Sequence, residues 1–566
     1  MTDLLQRNLD CLPANVRAEI QQAGTTSASI GFCSTESRSG HVVTGAIIDG
    51  RNRFYHSTYD PLREADRLSG TVDTETVIVL GFGTGYHLAP LLRRVAHLIV
   101  VEPNLRSIVY ALERVNLTET LSHPGLRMVV GEATGNLPAS IADTYLPAIH
   151  GSASVLTLPG RLHAEPDRCA AIQKDLRAGL ELVADDFAVQ AQFGRLWLRN
   201  TIANLATLTS GTDLPRSIEY PNLTERPVVV TAAGPSLTGA LESLSVGPDA
   251  VLLATDTSLP TLAEVGVTPD AVLTVDCQPV SYLHYLTAKF PQTLLLADLA
   301  APPSILGAHR RVGPLVSRHP LHMLLQSLGA NLPGFDSSGG NVTHAAVSLA
   351  ASLGAATITV VGADFSYPLG ECYARGSYVH SHFAARASRI HPWSGALYRF
   401  ARDRPGVYRD EDSPLTLRLP TLDRYREALK KLAAEASIPI TIRSAQDGPP
   451  GFRRPGSALR PGGAPPPGGP ALSNPSSLSG ACLPPDILSR LLSLFLSVGN
   501  LNSTVFERTG DRDEDIPGNP NPRAVATALL PFVAWNRRVD ALANVDDLLQ
   551  TTHREAIDIL SHFARS

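Results

Sequence analysis

Three short runs carry the residue types from which nucleotide sites are built. The first, Gly234-Pro235-Ser236-Leu237, follows the apolar run Pro227–Thr231 almost at once. Glycine there admits close backbone approach to a phosphate. Pro235 pre-sets φ for a first helical turn, and Ser236 offers a hydroxyl and a free N–H at the positive end of a helix. Plain helix capping is the competing explanation. The second run, Ser337-Ser338-Gly339-Gly340-Asn341-Val342-Thr343, is another glycine-rich helix start, its N–H groups aimed at an anion or a base. The third, Gly362-Ala363-Asp364-Phe365-Ser366-Tyr367-Pro368, closes the apolar run Thr357–Val361.

Asp256 and Asp276 end two further apolar runs. Either can accept from a ribose or sugar hydroxyl, Asp276 can also hold a cation, and both can simply cap helices. Beyond the third run, Tyr373-Ala374-Arg375-Gly376-Ser377-Tyr378-Val379-His380-Ser381-His382 is expected as a loop with the groups an active-site lid needs. Arg375 or a tyrosine would neutralise a leaving phosphate, and a histidine would take a proton. His380-x-His382 lacks an evident third ligand, so no metal site is expected.

The elements that position these residues read as doubly wound α/β. Strands at Val228–Thr231, Ala250–Ala254, Pro269–Val275 and Thr357–Gly362 alternate with helices, and each polar turn falls at a strand's carboxyl end, where open α/β sheets bind ligands. Upstream, Thr76–Leu80, the turn Gly81-Phe82-Gly83-Thr84-Gly85, a helix over Tyr86–Arg94 and the strand His97–Val101 ending in Glu102 form a Rossmann-like βαβ unit. The turn reads GxGxG, short of the full dinucleotide fingerprint, so a packing scaffold is favoured over a second nucleotide site. Phe187–Leu208 has helical spacing and reads as a connector, with Asn200 and Asn204 on or near its apolar face. The expected layout is a Rossmann-like domain over 1–185, a central domain over 186–445, a Pro/Gly-rich linker over 446–485 and a helical domain over 486–566.

Composition narrows the classes. The 566 residues carry a net charge of −5, which gives no reason to expect nucleic acid. Six scattered cysteines without CxxC pairs fit a reducing compartment rather than zinc or a disulfide framework. The start lacks a signal-peptide pattern and no apolar run reaches a membrane span, so a soluble cytoplasmic protein is expected. An oligomer is possible.

Taken together, Gly234-Pro235-Ser236-Leu237, the Asp256 and Pro269-Asp270…Asp276 region, Ser338-Gly339-Gly340-Asn341-Val342 and Gly362–Pro368 resemble the motility accessory factor family, flagellin glycosyltransferases with a DUF115-type, MptE-like central domain. That domain is similar to bacterial sialyltransferases, a GT-A-like variant fold using CMP-sugars. The resemblance implies transfer of a nonulosonic acid, such as pseudaminic or legionaminic acid, from a CMP donor to Ser or Thr of flagellin, with no strict metal requirement. It implies that Gly234, Pro235, Ser236, Asp256, Ser338, Gly339, Gly340, Asn341 and Asp364 hold the nucleotide. Tyr367, Tyr373 or Tyr378 would face the leaving group; Arg375 and Asp276 join the catalytic set on their own chemistry, and the resemblance does not align the base, for which the loop favours His380, then His382. Ala232 and Ala233 stand where the sialyltransferase motif has Gly and Asn, so an Asn contact must come from elsewhere, with Asn341 as the candidate. Two rivals remain: a pterin diphosphokinase-like enzyme using ATP and magnesium, and a non-catalytic flagellin-binding protein.

Overall fold

A computed structural model describes residues 2–23, 31–210, 217–243, 247, 249–288, 290–443, 481–506, 521–541 and 543–564. The chain clusters into two compact units, Met1–Gly194 with Ser497–Arg554, and Arg195–Leu496 with Glu555–Ser566. The residues 486–566, read from sequence as one helical domain, are thus divided between them. The linker assigned to 446–485 lies outside the described residues as far as residue 480.

In the first unit, β1 (Gly31–Glu36), β2 (Val42–Ile48) and β3 (Arg51–Phe54) form an antiparallel meander. A parallel sheet follows in the order β6 (Leu126–Val130), β5 (His97–Glu102), β4 (Thr76–Leu80), β7 (Ala153–Thr157). Its two central strands are buried throughout, as parallel strands covered on both faces must be. The helix expected over Tyr86–Arg94 is shorter, Leu88–Leu92, because Thr84–His87 is spent on the turn itself. The connector expected over Phe187–Leu208 is instead the end of a 44-residue helix, Pro166–Thr209.

The second unit holds an eight-stranded parallel sheet ordered β18-β14-β9-β10-β11-β12-β13-β8. In chain order these are β8 (Ser217–Ile218), β9 (Pro227–Thr231), β10 (Val251–Thr255), β11 (Ala271–Thr274), β12 (Leu294–Asp298), β13 (Arg311–Leu315), β14 (Thr357–Val361) and β18 (Ile440–Ile442). Side chains alternate between two cores. Val228, Val230, Leu253, Leu273 and Val360 meet the Ala-rich helix Val342–Ser352 on one face. On the other face Val229 and Leu252 pack with Leu237, and Ala254, Val272 and Leu295 pack with Leu259, Leu262 and Ile305. From β9 the chain winds outward through β10 to β13, then returns to lay β14 on the opposite side of β9. The topological switch point of this doubly wound sheet therefore lies between β9 and β14. A small antiparallel sheet, β15 (Tyr367–Pro368), β17 (Thr416–Arg418) and β16 (Tyr408–Arg409), and the helices Tyr378–Ala384 and Trp393–Arg402 are inserted between β14 and β18.

Candidate active site

The carboxyl ends of β9 and β14 bring two of the three singled-out runs into direct contact. Gly234 N donates to Gly362 O at 2.7 Å, and a Cβ on Gly234 would lie 2.4 Å from that oxygen. Gly362 has φ +75°, and its own Cβ would fall 2.4 Å from Ala232 O. Both glycines are thus required for the two turns to touch. Phe365 follows at φ +46°, so the chain bends sharply just past Asp364.

Asp364 Oδ2 accepts from both Ser236 N and Ser236 Oγ, each at 2.9 Å. This corrects one expectation: the Ser236 N–H is not free for a phosphate, because a carboxylate from the neighbouring turn already takes it. Burial holds the Asp364 carboxyl above its ordinary range despite these two bonds. A carboxylate accepts and repels anions, so this end of the crevice suits hydroxyl groups better than a phosphate.

The second run lies at the start of the helix Val342–Ser352, which runs back against the strands and so begins at the same sheet edge. Ser338 N and Oγ donate to Asp336, holding that carboxyl below its ordinary range. Gly339 is buried against the His344 ring, whereas Ser338 and Gly340 are exposed. Asn341 was the candidate for a missing nucleotide contact, but its amide is engaged. Oδ1 caps the helix at His344 N and Nδ2 donates to Gly339 O, as a helix N-cap must.

Asp256 is buried at the end of β10, accepting from Thr274 Oγ1 at 2.6 Å and Thr257 N at 2.7 Å. Burial, aided by the negative Asp276 nearby, pushes its carboxyl up to about 7. Asp276 itself is exposed and accepts from Gln278 N.

The segment expected as a lid loop runs over the β9 and β10 side of this edge. Ala374 N donates to Ala233 O, Thr261 Oγ1 donates to Arg375 O, and Tyr378 meets His284 edge-on at 5.0 Å. His380 lies not on a loop but on the helix Tyr378–Ala384, which begins after Ser377 without a side-chain capping bond. Its Nε2 sits 3.2 Å from Tyr373 O. A carbonyl accepts only, so Nε2 carries the proton and Nδ1 keeps its lone pair. Burial pulls His380 below its ordinary value, which favours that neutral form at pH 7. With Arg375, Glu264 and Trp393, His380 lines a pocket of about 340 Å3. His382, the alternative base, is exposed and pairs with Arg386. Tyr367 and Tyr373 are largely buried in the inserted subdomain, and burial pushes Tyr373 up to about 12, so both phenols remain donors.

Sequence reasoning missed a second buried group at this edge. Asp298 ends β12, accepts from Ala300 N and lies 3.9 Å from His322 Nε2, and burial pushes it up to about 7. Ser317 N donates to His322 Nδ1, which fixes the proton on Nε2. Asn200 and Asn204 donate to the carbonyls of Cys277, Leu299, Ala300 and Ala301, tying the helix Pro166–Thr209 to the loops after β11 and β12. An unusual pair of asparagines one turn apart on an apolar face was the available signal. Among the described residues no group of three or more His, Cys, Asp or Glu is arranged to hold a metal ion.

The glycine turn of the first unit is filled by protein. Glu102, where a ribose would be held, accepts from Phe82 N and Asn104 N and pairs with buried Arg161 at 3.0 Å. A Cβ on Gly83, at φ +54°, would lie 2.5 Å from Leu158, and one on Gly85 the same distance from Leu117. The packing role of this turn is therefore the one its surroundings support.

Fold and site together are those of a doubly wound α/β protein with polar turns gathered at its switch point, and comparisons with known proteins narrow the class. Residues 34–126 match the family model of the glycosyltransferase Maf N-terminal domain. Residues 199–370 match that of the 6-hydroxymethylpterin diphosphokinase MptE-like family. The second match falls in the central domain, where the resemblance implied an MptE-like fold, and the first adds a likeness to the Maf N-terminal domain. The fold matches the structure of the Maf glycosyltransferase from Magnetospirillum magneticum AMB-1 with a TM-score of 0.59 and 14% identity, covering 100% of this chain and 96% of that one. Among curated proteins, an uncharacterized protein of Treponema pallidum (strain Nichols) is 29% identical over 188 residues, 33% of this chain and 87% of its own. A second from the same organism is 33% identical over 107 residues, 19% of this chain and 38% of its own length. No described helix is long and apolar enough to cross a membrane.

Proposed function

We propose that the second unit is a glycosyltransferase that moves a nonulosonic, sialic-acid-like sugar from a CMP donor to Ser or Thr hydroxyls of flagellin. The observation that carries this is the orientation of His380. A neutral imidazole with its Nε2 proton committed to Tyr373 O presents an Nδ1 lone pair beside Arg375, on a segment bonded to the β9 turn. The matched glycosyltransferase N-terminal domain and the shared fold support the reaction class.

In this account the acceptor hydroxyl gives its proton to His380 Nδ1 as its oxygen attacks the anomeric carbon. The bond from that carbon to the phosphate oxygen breaks, and CMP departs with the electron pair. Arg375 and the protonated tyrosines supply positive charge and hydrogen bonds to the leaving phosphate. Asp364 and Ser236 face the ribose, and the exposed Ser338–Gly340 turn faces the nucleotide. The protein works in the cytoplasm, before its acceptor is exported.

The test is CMP release from a CMP-nonulosonate in the presence of flagellin, with mass spectrometry of the acceptor. His380→Gln is expected to lower transfer by about 10²–10⁴-fold, the range for a lost general base, while CMP still binds. Unchanged transfer would remove His380 from the mechanism.

The central-domain family match favours one second reading, an ATP- and magnesium-dependent diphosphokinase with Asp256 and Asp276 around the metal. Asp256 argues against it, being buried and bonded to Thr274 and Thr257. Pyrophosphoryl transfer from ATP to a hydroxymethylpterin would establish it instead.

A further inference from the structure

A second groove lies beside the His380 pocket, on the same two inserted helices. It measures about 500 Å3, and its lining includes Phe383, Phe400, Arg399 and Arg404. Phe383 and Phe400 meet edge-on at 5.6 Å, and the Arg404 guanidinium sits 4.4 Å from the Phe400 ring centre. Phe383 is three residues beyond His380 on one helix, and Ala396 of the groove is three beyond Trp393 of the pocket on the other. Residues three apart share a helix face, so pocket and groove adjoin.

The charge here runs against that of the chain. Between Tyr378 and Gly406 there are five arginines and one acid, in a protein of net charge −5. The acid, Asp403, also lines the groove, and its carboxylate is taken up by Arg402 at 2.8 Å. Among the described residues, neither Arg399 nor Arg404 has a carboxylate partner. Two unpaired guanidinium groups, that of Arg404 over the Phe400 ring, attract an anionic chain that also brings apolar side chains.

We infer that this groove docks an acidic stretch of the acceptor polypeptide and delivers a neighbouring hydroxyl to the His380 pocket. The identity of the partner rests on the transfer reading above. The groove's charge preference does not.

Fluorescence polarisation with two synthetic peptides tests it. Both carry the same Ser, Thr, Phe and Leu residues, one with glutamates and the other with lysines between them. The glutamate peptide is expected to bind the full chain and the lysine peptide not to. Arg399→Glu combined with Arg404→Glu should weaken the glutamate peptide by at least about tenfold and flatten its salt dependence. Arg389→Glu, on the same basic stretch but outside the groove, should change little.

No binding of the glutamate peptide, equal binding of both peptides, or equal loss with Arg389→Glu would each overturn the inference. So would a single-stranded oligonucleotide that binds more tightly through the same two arginines. Stabilisation by CMP, measured on the same proteins, separates the two claims. Lost peptide binding with CMP stabilisation retained in the double variant supports the groove and shows that its fold is intact. Absent CMP stabilisation in the wild type with peptide binding intact overturns the transfer reading alone.

Discussion

His380 shows how a single side chain is tuned by what it touches. A carbonyl at Nε2 and partial burial act on the same ring, one fixing the tautomer and the other keeping it neutral. Transfer is therefore expected to fall as pH drops below the ordinary histidine range near 6.5, and kcat/KM against pH checks this. Asp256 behaves oppositely. Its folded value of about 7 lies above the ordinary aspartate value, so its stabilising contribution is present in acid and is lost as pH rises through about 7. Asp256→Asn should therefore gain thermal stability relative to the wild type between pH 5 and 8, and melting curves across that range would detect it. In the first unit, breaking the buried Arg161–Glu102 pair by Arg161→Ala should cost about 3–5 kcal/mol, the usual result of stranding a buried charge. Denaturant titration measures it.

At the scale of elements, the strands and their carboxyl-end turns were legible in sequence because buried parallel strands are continuous apolar runs. β9, β10, β11 and β14 fall where Val228–Thr231, Ala250–Ala254, Pro269–Val275 and Thr357–Gly362 were read. What was not legible is which turns touch. Ser236 and Asp364 are 128 residues apart, and only the return of the chain to β9 brings them together. Asp298 and His322 escaped notice for the same reason, since neither stands in a motif and their proximity comes from β12, β13 and the helix Pro320–Ser327. The asparagines of the long helix are a further case: their role appears only with the loops they hold. Asn204→Ala would leave the carbonyls of Leu299 and Ala301 without donors, at about 1–3 kcal/mol for each stranded group. Faster amide hydrogen exchange in the loop after β12 is the expected sign.

At the scale of the whole molecule, the late residues Ser497–Arg554 complete the unit that the early residues begin. Arg537 donates to Ala148 O at 3.2 Å and pairs with Glu75 at 2.6 Å, and Gly194 approaches the Pro531 carbonyl so closely that a Cβ would fall 1.6 Å from it. No local pattern in either segment announces that pairing. The same unit buries His97 against His150 with ring centres 4.3 Å apart, and burial pulls them to about 4 and about 3. The unfolded chain binds more protons than the folded one below about 6.5, so this contribution is complete above that pH and lost progressively as it falls towards 4 and 3. The first unit is expected to be acid-labile, and His97→Phe, which cannot take up a proton, should reduce the slope of stability against pH over that interval.

The proposed transfer requires the β9–β14 switch point to hold a CMP-activated donor. Thermal stabilisation by CMP, against ATP with magnesium, tests it most directly, because a ligand that binds only the folded state raises its melting temperature by mass action. CMP is expected to raise the melting temperature, with the rise lost in Ser338→Ala and kept in Asp276→Ala. A rise with ATP and magnesium alone, abolished by Asp276→Ala, would contradict it.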